Sequence, residues 1–510
     1  MSKTGTEQNS VARDFIASLV VFLVALPLCM GIAIASGVPP ALGLATGVIG
    51  GLVVGAISGS PLQVSGPAAG LAIVVFELVR DQGIETLGPV LLLAGVIQFV
   101  AGRFKLGQWF RAISPAVVYG MLAGIGILIM AGQFHVMVDD KPRASGLENL
   151  IAIPQSIWKS IVPPEGTSHH LAAAIGLLTL SAILLWNWLR PKALKVIPGT
   201  LVGVVLATAV TAAFQFQVKH VDIPQSFWSA FSLPDAHSFL QLADPHVLFT
   251  ALAVAFVASA ETLLSASAVD RMHSGARANF DKELSAQGLG NSLCGLIGAL
   301  PMTGVIVRSS ANVQAGARTR LSAILHGVWI LGFVLLFPSV LRLIPTATLA
   351  AVLVFTGFKL IETQHLRKLA GYGRMPVVIY FGTIVGIVGV DLLTGVLFGL
   401  ALTIAKLLWK ATRLEIQQAT EDARGRTDIY LQGVATFVRL PQLAAVLDAV
   451  PPGYIAHIHI HHLYYIDHTC LDLLRSAASQ RSERGGSLEV HGGELVDRYE
   501  MRELALRRSA

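Results

Sequence analysis

The chain has 510 residues, of which 54% are hydrophobic and only 13% are charged, and its mean hydropathy is +0.66. This composition excludes an ordinary soluble protein, and the formal net charge of +6 is small for this length and gives no indication of nucleic acid binding. Apolar runs recur from about Phe15 to about Leu408, and many approach the ~20 residues that cross ~30 Å of hydrocarbon. A polytopic membrane protein is therefore predicted.

About fourteen hydrophobic segments are predicted in chain order. The first 13 residues are polar and the first apolar run leads directly into further ones, so we expect no cleaved signal peptide. The segments begin near Phe15, Ala41, Gly66, Gly88, Pro115, His170, Pro198, Val247, Glu283, Thr303, Leu321, Thr346, Met375 and Leu392.

The distribution of Lys and Arg predicts the orientation of these segments. With the N-terminus inside, the cytoplasmic turns hold eighteen Lys and Arg residues, in clusters such as Arg190, Lys192 and Lys195. The outside turns hold six: Arg80, Lys141, Arg143, Lys159, Lys219 and Arg342. Because cytoplasmic loops of membrane proteins carry the excess of positive charge, both termini are predicted to be cytoplasmic.

After about Lys410 the composition changes to that of a small α/β domain. The stretches "TDIYLQGVATFV", "QLAAVLDAV", "YIAHIHIHHLYYID", "CLDLLRSAASQ" and "GGSLEVHG" predict strand, helix, strand, helix and strand. We therefore expect a cytoplasmic N-terminal tail at 1–13, a transmembrane region at 14–409 and a cytoplasmic domain with a tail at 410–510.

The two halves of the transmembrane region resemble each other at a spacing of seven segments. Segments three and ten, "LQVSGPAAGLAIVVF" and "TGVIVRSSANVQAG", are both short and interrupted. Each has a strand-like lead, Leu62–Ser65 or Val305–Val307, followed by small residues that favour a half-helix. An odd number of spans per repeat inverts the second copy, and interrupted segments at matching positions indicate a binding site at the membrane midplane. The sequence thus predicts a transporter built from inverted repeats.

Arg308 lies at the break in segment ten. Two half-helices that start near the midplane would present unpaired N–H groups to one cavity, and Arg308 would add a full positive charge there. The alternative is that Arg308 reaches an interface or pairs with a carboxylate elsewhere. The predicted mouths of this anion site hold Ser65, Gly66 and Pro67 on one side and Ser309, Ser310 and Asn312 on the other.

Glu261 is a second charge at membrane depth, because it follows fourteen uncharged residues in segment eight. Its carboxyl group could carry a proton or help to hold Na⁺, with Ser265 one turn later on the same helix face. A salt bridge between Glu261 and Arg308 is the alternative. No other cofactor is predicted.

The run "HIHIHHLYYIDH" places His457, His459 and His461 on one face of a strand. These residues could bind a metal, but no Cys/His spacing of a zinc motif accompanies them, and a strand with a polar face is the favoured interpretation. We therefore predict no metal site and no catalytic residues. The three cysteines form no obvious disulfide framework.

From about Ala12 to about Arg475 the sequence resembles the SulP (sulfate permease-type) anion transporters, whose animal relatives include prestin. The motifs are "GALPMTGVIVRSSANVQAGARTRLSAILHG", "ANFDKELSAQGLGN", "LPLCMGIAIASGVPPALGL" and "SGPAAG", and "IDHTCLDLL" looks like the core of a STAS domain. The resemblance implies fourteen transmembrane segments in a 7+7 inverted repeat, core and gate domains, an elevator-like motion, a homodimer and a cytoplasmic STAS-like domain.

In this family the anion lies between segments three and ten, and Glu261 matches the acid of proton-coupled members. The chain departs from the family pattern in segment one, where many members have "PQ" followed by "A(F/Y)A" and this chain has Pro27, Leu28 and Ile32, so that the usual polar and aromatic contacts are missing. In segment ten, Val305 and Val307 replace serines common in animal members. The substrate-binding candidates are Pro27, Ile32, Ser65, Gly66, Pro67, Ala68, Arg308, Ser309 and Ser310. Glu261 and Ser265 are the candidates for cation coupling.

The expected function is secondary active uptake of a small inorganic anion, bicarbonate or sulfate, with Na⁺ or H⁺, across the inner membrane of a bacterial cell. An uncoupled chloride or bicarbonate channel or exchanger and a proton-coupled dicarboxylate transporter are alternatives. A zinc enzyme using the C-terminal histidines and a scaffolding protein are less favoured, because a scaffold needs no charges at an interrupted helix.

Overall fold

The computed structural model describes residues 3–491 except 113, 144, 165–166, 192–193, 195–196, 223–230, 232, 234–239, 422–424 and 484. Lys192, Lys195 and residues 492–510 of the predicted C-terminal domain and tail therefore lie outside the described residues. The chain divides into two compact units, Met1–Leu400 and Ala401–Ala510.

The first unit consists of helices and two three-residue strands. Its elements are α1 (Lys3–Ala35), α2 (Pro40–Ile49, extended to Ile57 through a π-helical turn), β1 (Ser65–Pro67), α3 (Ala72–Gln82), α4 (Leu87–Arg103), α5 (Pro115–Met137), α6 (Gly146–Ile161), α7 (His169–Leu189), α8 (Gly199–Phe214), α9 (Pro245–Asp270), α10 (Phe280–Leu296), β2 (Met302–Gly304), α11 (Ile306–Gln314), α12 (Leu321–Leu336), α13 (Pro338–Arg342), α14 (Thr346–Leu360), α15 (Thr363–Gly371), α16 (Arg374–Gly389) and α17 (Leu392–Ala411), which continues into the second unit.

Each predicted hydrophobic segment contains one of these helices. Eight stretches of the described residues are long and apolar enough to cross a membrane, and α8, α12 and α16 are shorter apolar helices. The remaining segments are α3, α10 and α11, of which α3 and α11 are half-length. The amphipathic helix α6 between segments five and six was not predicted, and α1 already begins within the N-terminal stretch expected to be a tail.

The packing of the helices confirms the inverted repeat. If each segment is replaced by the one seven positions away in the chain, three contacting helix pairs become three other pairs. The pair α4–α10 becomes α12–α2, the pair α1–α12 becomes α9–α4, and the pair α5–α16 becomes α14–α7. All six pairs are in contact. Two pairs, β1 with β2 and α5 with α14, convert into themselves. These two self-paired contacts must therefore lie on the pseudo-twofold axis that relates the halves.

The interrupted segments cross each other through an antiparallel pair of strands. Gly66 lies opposite Thr303, and the pairing covers only Ser65–Pro67 and Met302–Gly304. The predicted strand-like leads were therefore misplaced: β1 begins where the first lead ends, while β2 ends before the second lead, and Val307 is helical. The reason is that pairing across the axis, rather than the β-branched side chains, selects the extended residues.

Glycines bring α4 and α10 unusually close together. A Cβ atom on Gly288 would lie 2.3 Å from the Phe99 backbone nitrogen, and one on Gly295 would lie 2.4 Å from that of Leu92. Small residues at a helix interface let the two backbones approach closely in a membrane. This contact fixes α10 beside β1 and β2.

The second unit contains a four-stranded sheet of strands β3 (Leu414–Glu421), β4 (Arg426–Ala435), β5 (Ile455–Ile466) and β6 (Ser487–His491) in that order. The pairing of β3 with β4 is antiparallel and the other two pairings are parallel. Two helices, α18 (Leu440–Asp448) and α19 (His468–Glu483), contribute Leu443, Leu447 and Leu474 to one hydrophobic core with alternate residues of the strands. The five predicted elements are confirmed, and β3 is an additional strand.

Candidate functional site

The Arg308 side chain is fully buried in the first turn of α11. A Cβ atom on Gly66 would lie 1.9 Å from Arg308 Nη1, so the guanidinium occupies the space that this glycine leaves open. It also lies within electrostatic range of the Cys29 thiol and the His326 imidazole. Among the described residues, Nε, Nη1 and Nη2 of Arg308 have no hydrogen-bond partner.

A buried, unpaired charge is costly, and removing one partner of a buried pair typically costs about 3–5 kcal/mol. The ion pairs between described residues include none with Arg308, so the alternative of a structural salt bridge to Glu261 is wrong for this conformation. The guanidinium is therefore available to an anionic ligand.

Both half-helices begin without a capping side chain. Val305 precedes α11, and Ala68 precedes the 3₁₀ turn Ala69–Leu71 that leads into α3. The first N–H groups of a helix have no partner within it, and Ser, Thr, Asp or Asn usually supplies one. Apolar residues cannot do so, which leaves backbone donors and the positive ends of two helix dipoles next to the strand crossing.

Three buried polar residues on α10 hold the strand crossing in place. Glu283, Gln287 and Asn291 recur at every fourth position, which places them on one face of the helix. Gln287 donates to Ser65 Oγ (2.6 Å) and to Glu283 (3.1 Å). Asn291 donates to the Met302 carbonyl (3.1 Å) and accepts from the Met302 N–H (2.7 Å). The crossing is therefore fixed by side chains of α10, which lies close to β2 in the sequence but 222 residues from β1 at the Gln287–Ser65 bond.

Glu261, on α9, lies against the start of the other half-helix rather than beside Arg308. A Cβ atom on Gly70 would be 3.1 Å from Glu261 Oε2, which places the carboxylate at the start of α3. Its Oε2 atom is inaccessible and has no hydrogen-bond partner among the described residues. The adjacent Thr262 accepts the Gly304 N–H of β2 through its hydroxyl (3.1 Å). Glu261 is thus held between the two interrupted segments.

The serines predicted at the site have different surroundings. Ser309 Oγ donates to the Val305 carbonyl (2.7 Å) and accepts the Val64 N–H (2.9 Å), so it joins the two interrupted segments. Ser310 Oγ donates to the Val307 carbonyl within α11. Ser265 is buried on α9 one turn beyond Glu261.

Several predicted site residues do not lie at the mouth of a half-helix, where the sequence placed them. Asn312 is buried in the middle of α11 and donates to the Leu62 carbonyl (3.0 Å), and Ser309 is likewise buried in the helix. Ser65, Gly66 and Pro67 form β1, and the helix begins only after Ala68. Pro27 and Ile32, which the sequence placed in segment one, are buried in α1, and this helix packs against β1, α3 and α11.

A cavity of ≈ 670 Å³ leads from the start of α11 to charged groups at one end of the first unit. Its lining residues include Ile306 of α11, Tyr119 of α5 and Ser267 of α9. Arg271, Glu362, His365 and Lys368 line it as well. The imidazole of His365 stacks on the Tyr119 ring, with centroids 3.9 Å apart. The cavity therefore reaches Ile306 in the first turn of α11, and its charged lining residues are more positive than negative.

Gln287 and Gly70 are parts of the site that the sequence did not single out. Gln287 lies within the motif "ANFDKELSAQGLGN", and its four-residue spacing from Glu283 and Asn291 was the available signal. Gly70 ends "SGPAAG" and carries no signal of its own, since its importance comes from the approach of Glu261.

The profile of the sulfate permease family matches residues 11–383 of the chain. The YvdB protein of Bacillus subtilis (strain 168), which is named for sulfate transport, is 27% identical over 96% of this chain and 92% of its own length. The bicarbonate transporter BicA of Picosynechococcus sp. is 26% identical over 78% of this chain and 70% of its own length.

Solved structures share the fold. The transmembrane domain of a cyanobacterial bicarbonate transporter BicA matches with a TM-score of 0.65 at 24% identity, covering 76% of this chain and 97% of that domain. The murine anion transporter Slc26a9 in the inward-facing state matches with a TM-score of 0.77 at 15% identity, covering 96% of this chain and 87% of its own. The matched family comprises transporters rather than enzymes, and this chain, a multi-pass membrane protein with two uncapped half-helices that meet at a buried arginine, belongs to the sulfate permease family of anion transporters.

Proposed function

We propose that the protein is a secondary active transporter that takes up bicarbonate or sulfate together with Na⁺ or H⁺. The observation that carries the proposal is the buried Arg308 guanidinium, which lacks both a counterion and a hydrogen-bond partner among the described residues. An anion between the two helix starts would satisfy it together with uncapped backbone N–H groups. Relatives named for sulfate and for bicarbonate transport support these two substrates.

Glu261 supplies the coupling to a cation. Its carboxylate lies at the start of α3, where it competes with the substrate for the positive end of that half-helix. Two like charges ~6 Å apart repel by roughly 3 kcal/mol at an effective dielectric constant of about 20. A proton or Na⁺ that neutralises Glu261 removes this repulsion and strengthens anion binding, while Ser265 offers a further oxygen one turn away.

The membrane potential opposes anion uptake, which therefore needs either a symported cation or an exchanged anion. A membrane potential of ~100 mV, negative inside, opposes entry of one univalent anion by about 2.3 kcal/mol. Symport of a cation offsets this term for bicarbonate, and sulfate needs more than one positive charge for the same effect.

An elevator-type motion is the proposed means of access. The site lies on α3, α9, α10 and α11, whereas α5 and α15 supply the opposite wall of the cavity. Movement of the first group past the second would carry the anion across while the strand crossing stays intact. The positive-inside distribution assigns Arg271 and Lys368 to the cytoplasm, so this conformation faces inward. We further propose a homodimer in the bacterial cell membrane with both termini cytoplasmic.

Uptake of labelled bicarbonate and labelled sulfate into proteoliposomes tests the proposal, each under an imposed Na⁺ gradient, an imposed H⁺ gradient or neither. Concentrative uptake of one anion under one gradient is expected. Flux that follows voltage alone would instead indicate a channel, and gradient-independent counterflow would indicate an exchanger. Accumulation of neither anion, with uptake of a dicarboxylate under an H⁺ gradient, would replace the proposed substrates.

A further inference from the structure

The register of β5 and β6 gathers imidazole and carboxylate groups on one face of the sheet in the second unit. His457 lies opposite Glu489, and His459 lies opposite His491. The residues between the two histidines on β5 and beside them along the strand belong to the hydrophobic core. Because successive side chains of a strand alternate between faces, the four polar side chains lie together on the face away from that core.

Three of these side chains point ligand atoms at one another. His457 Nδ1 is 2.6 Å from His491 Nε2. Glu489 Oε2 is 3.5 Å from His457 Nδ1 and 3.7 Å from His491 Nε2. Tetrahedral zinc with ligand bonds of about 2.0–2.1 Å holds its ligand atoms roughly 3.3 Å apart. The carboxylate already has this spacing, and the two imidazole nitrogens need to separate by only about 0.7 Å.

We infer that His457, Glu489 and His491 form a binding site for a divalent transition metal of the zinc type. Two imidazoles and one carboxylate are ligands that Zn²⁺ prefers, and the side chains of Glu489 and His491 are each 40% exposed, which leaves a fourth position open to water. The site belongs to the second unit, whereas Arg308 and Glu261 belong to the first, and the inference does not depend on the proposed transport mechanism. The sequence predicted no metal site and offered His457, His459 and His461 only as the disfavoured alternative; the proposed site shares His457 with that set and takes its other two ligands from β6.

Asp428 and His459, next to the proposed metal site, hold one of its ligands in position. Asp428 accepts two hydrogen bonds from Arg426 and lies 2.7 Å from His459 Nε2. Hydrogen bonding to Arg426, the main cause, and to His459 lowers the pKa of Asp428 to about 2, so this carboxylate stays ionised. The His459 ring in turn stacks on that of His491, with centroids 5.2 Å apart. This contact holds His491 toward His457.

Bound metal would connect β5 to β6, the strand at the edge of the sheet. Its affinity is measured by titrating Zn²⁺ into the purified full chain in detergent against a chromogenic zinc chelator. We expect one zinc per chain. The three cysteines are buried and do not offer an accessible competing site.

The variants Glu489→Gln and His491→Ala should each weaken zinc binding by about tenfold or more. His461→Ala, on the same strand but outside the cluster, is the matched control and should bind as the original chain does. Equal affinity in the original chain and in His491→Ala would overturn the inference, as would an equal loss in His461→Ala.

The near-isosteric Glu489→Gln variant distinguishes loss of a ligand from misfolding. Without metal, its elution volume and melting temperature should equal those of the original chain. X-ray absorption of the zinc-loaded chain should then show two nitrogen ligands and carboxylate oxygen. A sulfur ligand in the first coordination sphere would also contradict the proposed site.

Discussion

A guanidinium group without a counterion is rarely found inside a protein, and here it is fully buried at the start of a half-helix. A charged side chain at membrane depth is costly in free energy, which is why Arg308 stood out in the sequence. The same reasoning drew attention to Glu261. Sequence reasoning could not decide whether these two charges pair. The structure separates them, because Glu261 approaches Gly70 of segment three and Arg308 approaches Gly66.

Replacing Arg308 by alanine should reduce anion uptake by roughly 10- to 100-fold or more, because a hydrogen bond to a charged group contributes about 1.5–3 kcal/mol. Initial uptake rates of the labelled substrate into proteoliposomes measure the effect. Arg318→Ala, which removes an exposed arginine ten residues later, is the control and should transport normally. Full activity of Arg308→Ala in a correctly assembled protein would rule out the proposed anion site.

Replacing Glu261 by glutamine should abolish accumulation against a gradient but leave anion counterflow, since the amide cannot exchange a charge with the coupling cation. Comparing net accumulation with counterflow in the same vesicles separates the two. Glu77→Gln, which changes a carboxylate of α3, should retain both activities. Concentrative uptake by Glu261→Gln would show that another group couples the cation.

At the scale of elements, the two half-helices were predictable from the sequence, whereas the strands β1 and β2 that precede them were not. Gly and Pro interruptions reveal where a membrane helix must break, so segments three and ten were identified correctly. The extended residues are fixed by pairing between Ser65–Pro67 and Met302–Gly304, which are more than 230 residues apart in the chain. The same is true of Gln287, whose bond to Ser65 is invisible to any local pattern.

The close contact of α4 and α10 predicts a sharp difference between two glycines. Gly288→Ala places a Cβ atom 2.3 Å from backbone of α4, so it should destabilise the protein by about 1–3 kcal/mol. In Gly132→Ala, the new Cβ atom on α5 meets no atom of the described residues within 4 Å, so the melting temperature should be unchanged or slightly raised. Thermal melting of both variants in detergent measures this, and equal melting temperatures would contradict the packing described.

In the proposed inward-facing state, the cavity opens to the cytoplasmic side of the membrane and not to the outside. In a background without Cys29, Cys294 and Cys470, Ser267→Cys on the cavity wall should react with a membrane-impermeant maleimide added from the cytoplasmic side. Ser265→Cys, two residues earlier and buried, should stay unlabelled. Labelling of Ser267→Cys only from the outside would reverse the assigned orientation.

Matched segments lie seven segments apart in the chain, and this spacing was sufficient to predict the repeat. Because each repeat has an odd number of spans, the second copy must be inverted in the membrane. The members of the polar cluster on the second unit were beyond prediction, since they depend on which strand pairs with β5.

The strand pair β1–β2 lies on the pseudo-twofold axis, so each repeat contributes only half of the proposed anion site. A single seven-segment copy would hold one uncapped half-helix and would need a second copy inserted upside down to complete the site. A copy of this kind could complete the site only by entering the membrane in both orientations, and joining the two copies in one chain removes that requirement. The two halves of one chain also need not be identical: here the second holds Arg308 and the first holds Gly66, the glycine that accommodates it.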